Sequence, residues 1–292
     1  MRPFIATILA ATALLAGSAQ AAPDWDAVGR ALGKAGTMQP GGVYKVSLPR
    51  TDLKVTLDGV PLKAGFAVGS WVAFEPMGDG AMVMGDLVLT HTEVNPVMSK
   101  LEDGGFEITA LHNHLLRSQP ATMYMHVEGH GDPVRLGAAL HAALALSKTP
   151  FATAAPPPAG STAFGLDVGA IDAILGAKGK VNGGVLQYSI ARKGQIMSGG
   201  MAAPPPMGTA TGINFQPTGP GRAAITGDFV LVAAEVNPVI KALRSHGIEV
   251  TAVHNHMLND EPRIFFMHFW ANNDARVLAQ GLQAALRQTD VQ

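Results

Sequence analysis

The 292-residue chain contains no cysteine. That removes disulfides, thiolate metal ligands, cysteine nucleophiles and a lipid-modified cysteine anchor together. Charge is sparse as well: Asp, Glu, Lys and Arg make up 15% of the residues, and the formal net charge is −1. With no basic cluster to neutralise phosphates, nucleic acid is not an expected partner. Beyond the first residues no apolar stretch approaches the roughly 18 residues that a membrane-spanning helix needs, so stable membrane insertion is not expected. A Gly-rich phosphate loop, Ser-x-x-Lys, Gly-x-Ser-x-Gly and His-Glu-x-x-His are all missing. Whatever chemistry the chain performs is therefore not announced by a common catalytic motif.

What is present begins with an export signal. Arg2 supplies a positive charge, residues 4–16 are apolar and small, and Ala19-Gln20-Ala21 matches a small-x-small cleavage site. Residues 1–21 are read as a signal peptide, which predicts a soluble protein that is periplasmic or secreted.

The remainder is duplicated. At a fixed offset of 142, residues 85–144 match residues 227–286 without gaps at 27 of 60 positions. Gly85-Asp86 recurs as Gly227-Asp228, Asn95-Pro96-Val97 as Asn237-Pro238-Val239, His112-Asn113-His114 as His254-Asn255-His256, and Met125-His126 as Met267-His268. Weaker matches upstream include Arg50 with Arg192. A unit of about 125 residues has the size of a domain, not of a solenoid repeat. The expected boundaries are a first repeat domain over 24–148, a Pro/Ala-rich linker over 149–163 around Pro156-Pro157-Pro158, and a second repeat domain over 164–290.

Within each copy the pattern predicts an α+β fold. Residues 82–90 and 106–115 read as strands and 122–128 as a returning strand after a turn at Pro120. Asn95 and Pro96 suit a helix start, Gly104-Gly105 a helix end, and Asp132 the cap of a helix over 133–147. Upstream, a helix over 26–34 and a strand over 43–48 are expected. The order β-α-β-β-α is that of a ferredoxin-like, split βαβ fold, and two such sheets are expected to pack as a pseudo-dimer. Gly85-Asp86 and Gly227-Asp228 read as turns, and Arg50 and Arg192 as surface residues by default, with anionic-ligand binding as the alternative.

Alternation along a strand puts His112 and His114 on one face and Asn113 on the other. A hairpin turning near Pro120 would set His112 opposite His126 and His114 opposite Tyr124. Three imidazoles on one sheet face, with Glu93 near the end of a neighbouring strand, suit a divalent metal, zinc first, with an open coordination position. The second copy repeats this with His254, His256, His268 and Glu235. In that reading the six histidines are metal ligands and Glu93 and Glu235 act as ligand or general base. Tyr124, Asn113 and Asn255 would contact a small-molecule ligand. The function expected is metal binding, extending to a metal-dependent hydrolase. The alternative is a non-catalytic periplasmic small-ligand-binding module in which the histidines are structural. Tyr124 and Glu128 become Phe266 and Trp270 in copy two, which points to copy one as the active copy.

Two similarities fail on inspection. His-Asn-His lacks the flanking signals and basic surface of an HNH nuclease. A cupin would need an all-β chain, and Glu261 of copy two is matched by Gln119 in copy one. Gly-Asp-Leu-Val-Leu, Glu-Val-Asn-Pro-Val, Thr-Ala-Leu-His-Asn-His and Met-His together resemble the family typified by the mycobacterial lipoproteins LppY and LpqO, once per copy over nearly the whole mature chain. The resemblance implies an exported, often duplicated protein, and it assigns neither substrate nor ligands. This chain differs from the lipoprotein members in lacking a cysteine to acylate.

Overall fold

A computed structural model of the chain describes residues 23–152 and 164–291. The signal-peptide expectation and most of the linker fall outside the described residues.

The first half runs α1 (Trp25–Leu32), β1 (Tyr44–Pro49), β2 (Gly69–Met77), β3 (Gly80–Thr90), α2 (His91–Asp103), β4 (Glu107–His112), β5 (Thr122–Gly131) and α3 (Pro133–Leu144). The second runs α4 (Val168–Leu175), β6 (Val185–Ala191), β7 (Ala210–Gly219), β8 (Arg222–Val232), α5 (Ala233–Ser245), β9 (Glu249–His254), β10 (Ile264–Asp274) and α6 (Ala275–Leu286). The two halves are α+β domains of the same design. Each carries an antiparallel sheet, ordered β1-β2-β3-β5-β4 in the first half and β9-β10-β8-β7-β6 in the second, with a short extra strand at the outer edge beside β1 and β6. β5 lies between β3 and β4 and is antiparallel to both.

Period-two alternation explains how the sheets are buried. On β3, Ala81, Val83, Leu87 and Leu89 join the core under the helices of their own half. Their neighbours Met82, Met84 and Val88 face the other way, into clusters that include Ile196, Val230 and Phe266 or Val185 and Trp270 of the second half. Each sheet therefore has one face on its own helices and one on the opposite half. That is why β3 is buried on both faces, apart from its ends. Asp86 lies on the inter-half face, in register with His126.

Several local expectations need correcting. α2 begins at His91, not at Asn95, and Thr90 precedes it as the cap residue while Pro96 sits inside the helix. The Thr90 amide donates to Glu93 Oε2 at 2.8 Å, so a carboxylate three residues on closes the helix start. Gly85-Asp86 and Gly227-Asp228 are mid-strand, in β3 and β8, not turns. A side chain at Gly85 would collide with Val72, so glycine permits close packing with the neighbouring strand. Asp132 does cap α3, accepting from the Arg135 amide at 2.8 Å.

Candidate metal centre

The hairpin register differs by two residues from the expected one. His112 pairs with Tyr124, and Ala110 with His126, after an irregularity between Ile108 and Ala110. A shift of two keeps every side chain on its original face, so His112 and His126 still share the inter-half face. His114 lies just beyond the end of β4.

The six histidines form one cluster. Across the halves, ring centroids stand 3.4 Å apart for His112 and His254, 3.6 Å for His114 and His268, and 3.7 Å for His126 and His256. The 142-residue offset exchanges the last two pairs and maps the first onto itself. Each half alone contributes rings about 5 Å apart, as in His112 and His126 at 5.0 Å or His254 and His268 at 4.8 Å.

Hydrogen bonding fixes which nitrogen of most rings is free. His112 Nδ1 contacts the Asn113 carbonyl at 3.1 Å, His254 Nδ1 the Asn255 carbonyl at 3.1 Å, and His268 Nδ1 the Gly227 carbonyl at 2.8 Å. His126 hydrogen-bonds the backbone of Gly85 at the equivalent place. A neutral ring that donates from Nδ1 carries its lone pair on Nε2. His114 and His256 are held by stacking, with ring centroids 3.4 Å from Tyr124 and Phe266 respectively.

All six Nε2 atoms are buried without a hydrogen-bond partner, and so are Asp86 Oδ1 and Asp228 Oδ1. The carboxylates stand beside the rings: His114 Nε2 is 3.8 Å from Asp86, and Asp228 is 3.5 Å from His256 Nε2 and 3.8 Å from His268 Nε2. A buried polar atom with no partner costs roughly 1–3 kcal/mol, and so many converging lone pairs fit a cation. Several groups of these imidazoles and carboxylates have their ligating atoms close enough together to hold a metal ion.

Burial also sets the charge states. It pushes the His112 pKa down to about 4 and the His254 pKa to about 3. The other four imidazoles are lowered well below their usual value by burial first and by their neighbours second. Burial raises Asp86 to about 8 against the pull of Lys45, and it holds Asp228 well above the carboxylate range, with Asp86 adding to the rise. An imidazole depressed in the fold stabilises it above the ordinary value of about 6.5 and loses that contribution as the pH falls through the folded value. Raised carboxylates act in the opposite sense, and their contribution is lost as the pH rises toward 8. With six imidazoles against two carboxylates, metal-free protein should lose thermal stability between about pH 6.5 and 4. A melting temperature in chelator that stays level over that interval would contradict neutral buried imidazoles.

Glu93 and Glu235 do not join the cluster. The Arg50 guanidinium donates to Glu93 at 2.9 and 3.1 Å, to Asp52 at 2.8 and 2.9 Å and to the Val88 carbonyl at 2.6 Å. Glu93 also accepts the Lys148 amide at 2.9 Å. Glu235 repeats this with Arg192 at 2.6 and 3.0 Å and the Asp290 amide at 3.0 Å. Both arginines are buried, where a surface position was expected. Asn113 and Asn255 turn to the opposite half, donating to the carbonyls of Thr251 at 3.4 Å and Thr109 at 3.3 Å. Tyr124 packs on His114, but its hydroxyl donates to the Ala67 carbonyl at 2.6 Å.

A cavity of about 330 Å³ adjoins the cluster, lined by Asp86, His114, Tyr124, Asp228, His256 and His268. Lys45 and Gln187, equivalent positions of the two copies, line it as well. Lys45 Nζ donates to the Pro206 carbonyl at 2.9 Å and sits 3.9 Å over the Trp71 ring. Burial lowers its pKa to about 8, opposed by Asp86.

The sequence profile of a family described as a domain of unknown function, DUF1259, matches residues 26–146 and again 169–288. The chain belongs to this family and carries two tandem copies of its domain. No curated protein matches it. Among solved structures, the chain is similar to PduB, a trimeric bacterial microcompartment shell protein, at 13% identity with a TM-score of 0.20. That match covers 86% of this chain and 90% of that one. Among the described residues no helix is long and apolar enough to cross a membrane.

Proposed function

We propose that this is an exported protein of the LppY/LpqO type whose two ferredoxin-like copies pack as a pseudo-dimer around one divalent-metal site, zinc being the first choice. The observation that carries this reading is the convergence of six buried Nε2 atoms without partners, four of them on rings held by backbone hydrogen bonds. His112, His114, His126, His254, His256 and His268 would hold the metal, with Asp86 and Asp228 taking the place expected of Glu93 and Glu235.

We propose further that the site serves hydrolysis of a small substrate in the adjoining cavity. Bound metal would supply an acidified water as the nucleophile. Lys45 lines the cavity, and its ammonium would suit an anionic group on the substrate. Tyr124 and Phe266 back His114 and His256 and limit their motion.

Elemental analysis of mature protein purified without a His-tag or chelator tests the first part. Metal at one or more equivalents per chain is expected, and its absence after attempted reconstitution with zinc would end the metal reading. A panel of small carboxylic and phosphoric esters tests the second. Turnover abolished by chelator and restored by zinc is expected, whereas metal without turnover would leave a binding protein.

A further inference from the structure

The ring pairs determine how the ligands can be shared. Two four-histidine groups have ligating atoms within 4.8 Å of one another: His112, His126, His254 and His256, and His112, His114, His254 and His268. The 142-residue offset converts one group into the other, and both contain His112 and His254. Each of those rings has its Nδ1 against a carbonyl, so each offers one lone pair and can serve one ion only. Dividing them gives three imidazoles to each side. His126 and His256 form one side with one ring of the central pair, and His114 and His268 form the other with the remaining ring.

The aspartates stand between the sides. Asp86 groups with His114 and His126, one from each side, and Asp228 groups with His256 and His268, again one from each, together with His254 of the central pair. A carboxylate has two oxygens to offer, and in both residues Oδ1 is buried and unpartnered. We propose that the centre is dinuclear: two divalent first-row ions, each held by three imidazoles contributed by both halves, with Asp86 and Asp228 bridging them. This rests on the metal reading above and adds the number of ions and the two bridging ligands. Two such ions outweigh the charge of two carboxylates, so a hydroxide or small anion is the natural occupant of the cavity that Asp86, Asp228 and Lys45 line. Imidazole-rich ligation suits zinc, copper, iron or nickel better than magnesium or calcium.

Chelator-stripped full-length mature protein, titrated with Cu²⁺ and desalted, tests this by copper content and electron paramagnetic resonance. Two equivalents per chain are expected, with a signal that integrates to well below total copper because bridged ions couple. In Asp86→Asn/Asp228→Asn, close in shape but without the bridging charge, the second ion should bind about 10–100-fold more weakly, by analogy with the loss of groups that support a metal site. The copper that remains should give its full uncoupled signal. Saturation of the wild type at one equivalent would overturn the dinuclear assignment and leave the metal reading standing. Two equivalents with a full signal in the wild type, unaltered in the double variant, would overturn the bridges. No copper bound would overturn both readings. The wild-type stoichiometry decides the main point even if the double variant fails to fold.

Discussion

Replacing His112 and His254 together by alanine should abolish tight metal binding while leaving the two cores intact. These rings stack on each other at 3.4 Å and belong to both four-histidine groups. Without them each side keeps two imidazoles. Loss of a group that merely supports a ligand weakens metal sites about 10–100-fold, so loss of two ligands should weaken this one by at least about 100-fold. The readout is the melting temperature with and without zinc. A ligand present at about 100 times its Kd adds about 2.7 kcal/mol to a folded protein that alone binds it; the wild type should show such a rise and the variant should not. In chelator the variant should fare comparatively well, because it no longer buries two nitrogens without partners. An undiminished zinc-dependent rise in the variant would refute the central role of this pair.

Glu93→Ala should have the complementary effect, costing stability and leaving the metal in place. Its carboxylate closes the start of α2, holds the Lys148 amide and neutralises a fully buried guanidinium. Removing one partner of a buried ion pair typically costs about 3–5 kcal/mol. The lower end is expected here, since Asp52 still faces Arg50. Glu235→Ala should behave similarly through Arg192. Denaturant unfolding gives the stability change and elemental analysis the metal content. Metal lost at unchanged stability would restore these glutamates to the site.

The duplication, the element order and the shared face of the histidines were legible because each leaves a periodic trace. A register error of two residues did not matter for His112 and His126, since the period of a strand is also two. The Asp86 and Asp228 carboxylates leave a more ambiguous trace. Gly-Asp is the commonplace of turns, and only its position within the run 82–90 hinted that it sits inside a strand. Counting in twos from Met82 and Met84 would have reached Asp86, and in copy two Asp228, on the face that looks away from the helices. Nearness to a strand end suggests Glu93 as a member of the cluster, whereas its three-residue spacing from Thr90 marks it as a capping residue. Arg50 lacked any local signal: its burial depends on Asp52, Glu93 and Val88, which only the folded chain brings together. Asn113 lies just past the end of β4, where strand alternation no longer sets a face, and its amide reaches the Thr251 carbonyl of the other copy.

A cavity governed by strict two-fold symmetry would offer any occupant two equivalent ways to enter. Lys45 and Gln187 stand at matching positions around this one, a cation against a neutral amide. Joining the copies in one chain lets each position diverge alone, which identical subunits cannot do. An occupant of this cavity would therefore meet two unlike ends, and a molecule with one anionic terminus would have a single preferred direction between them.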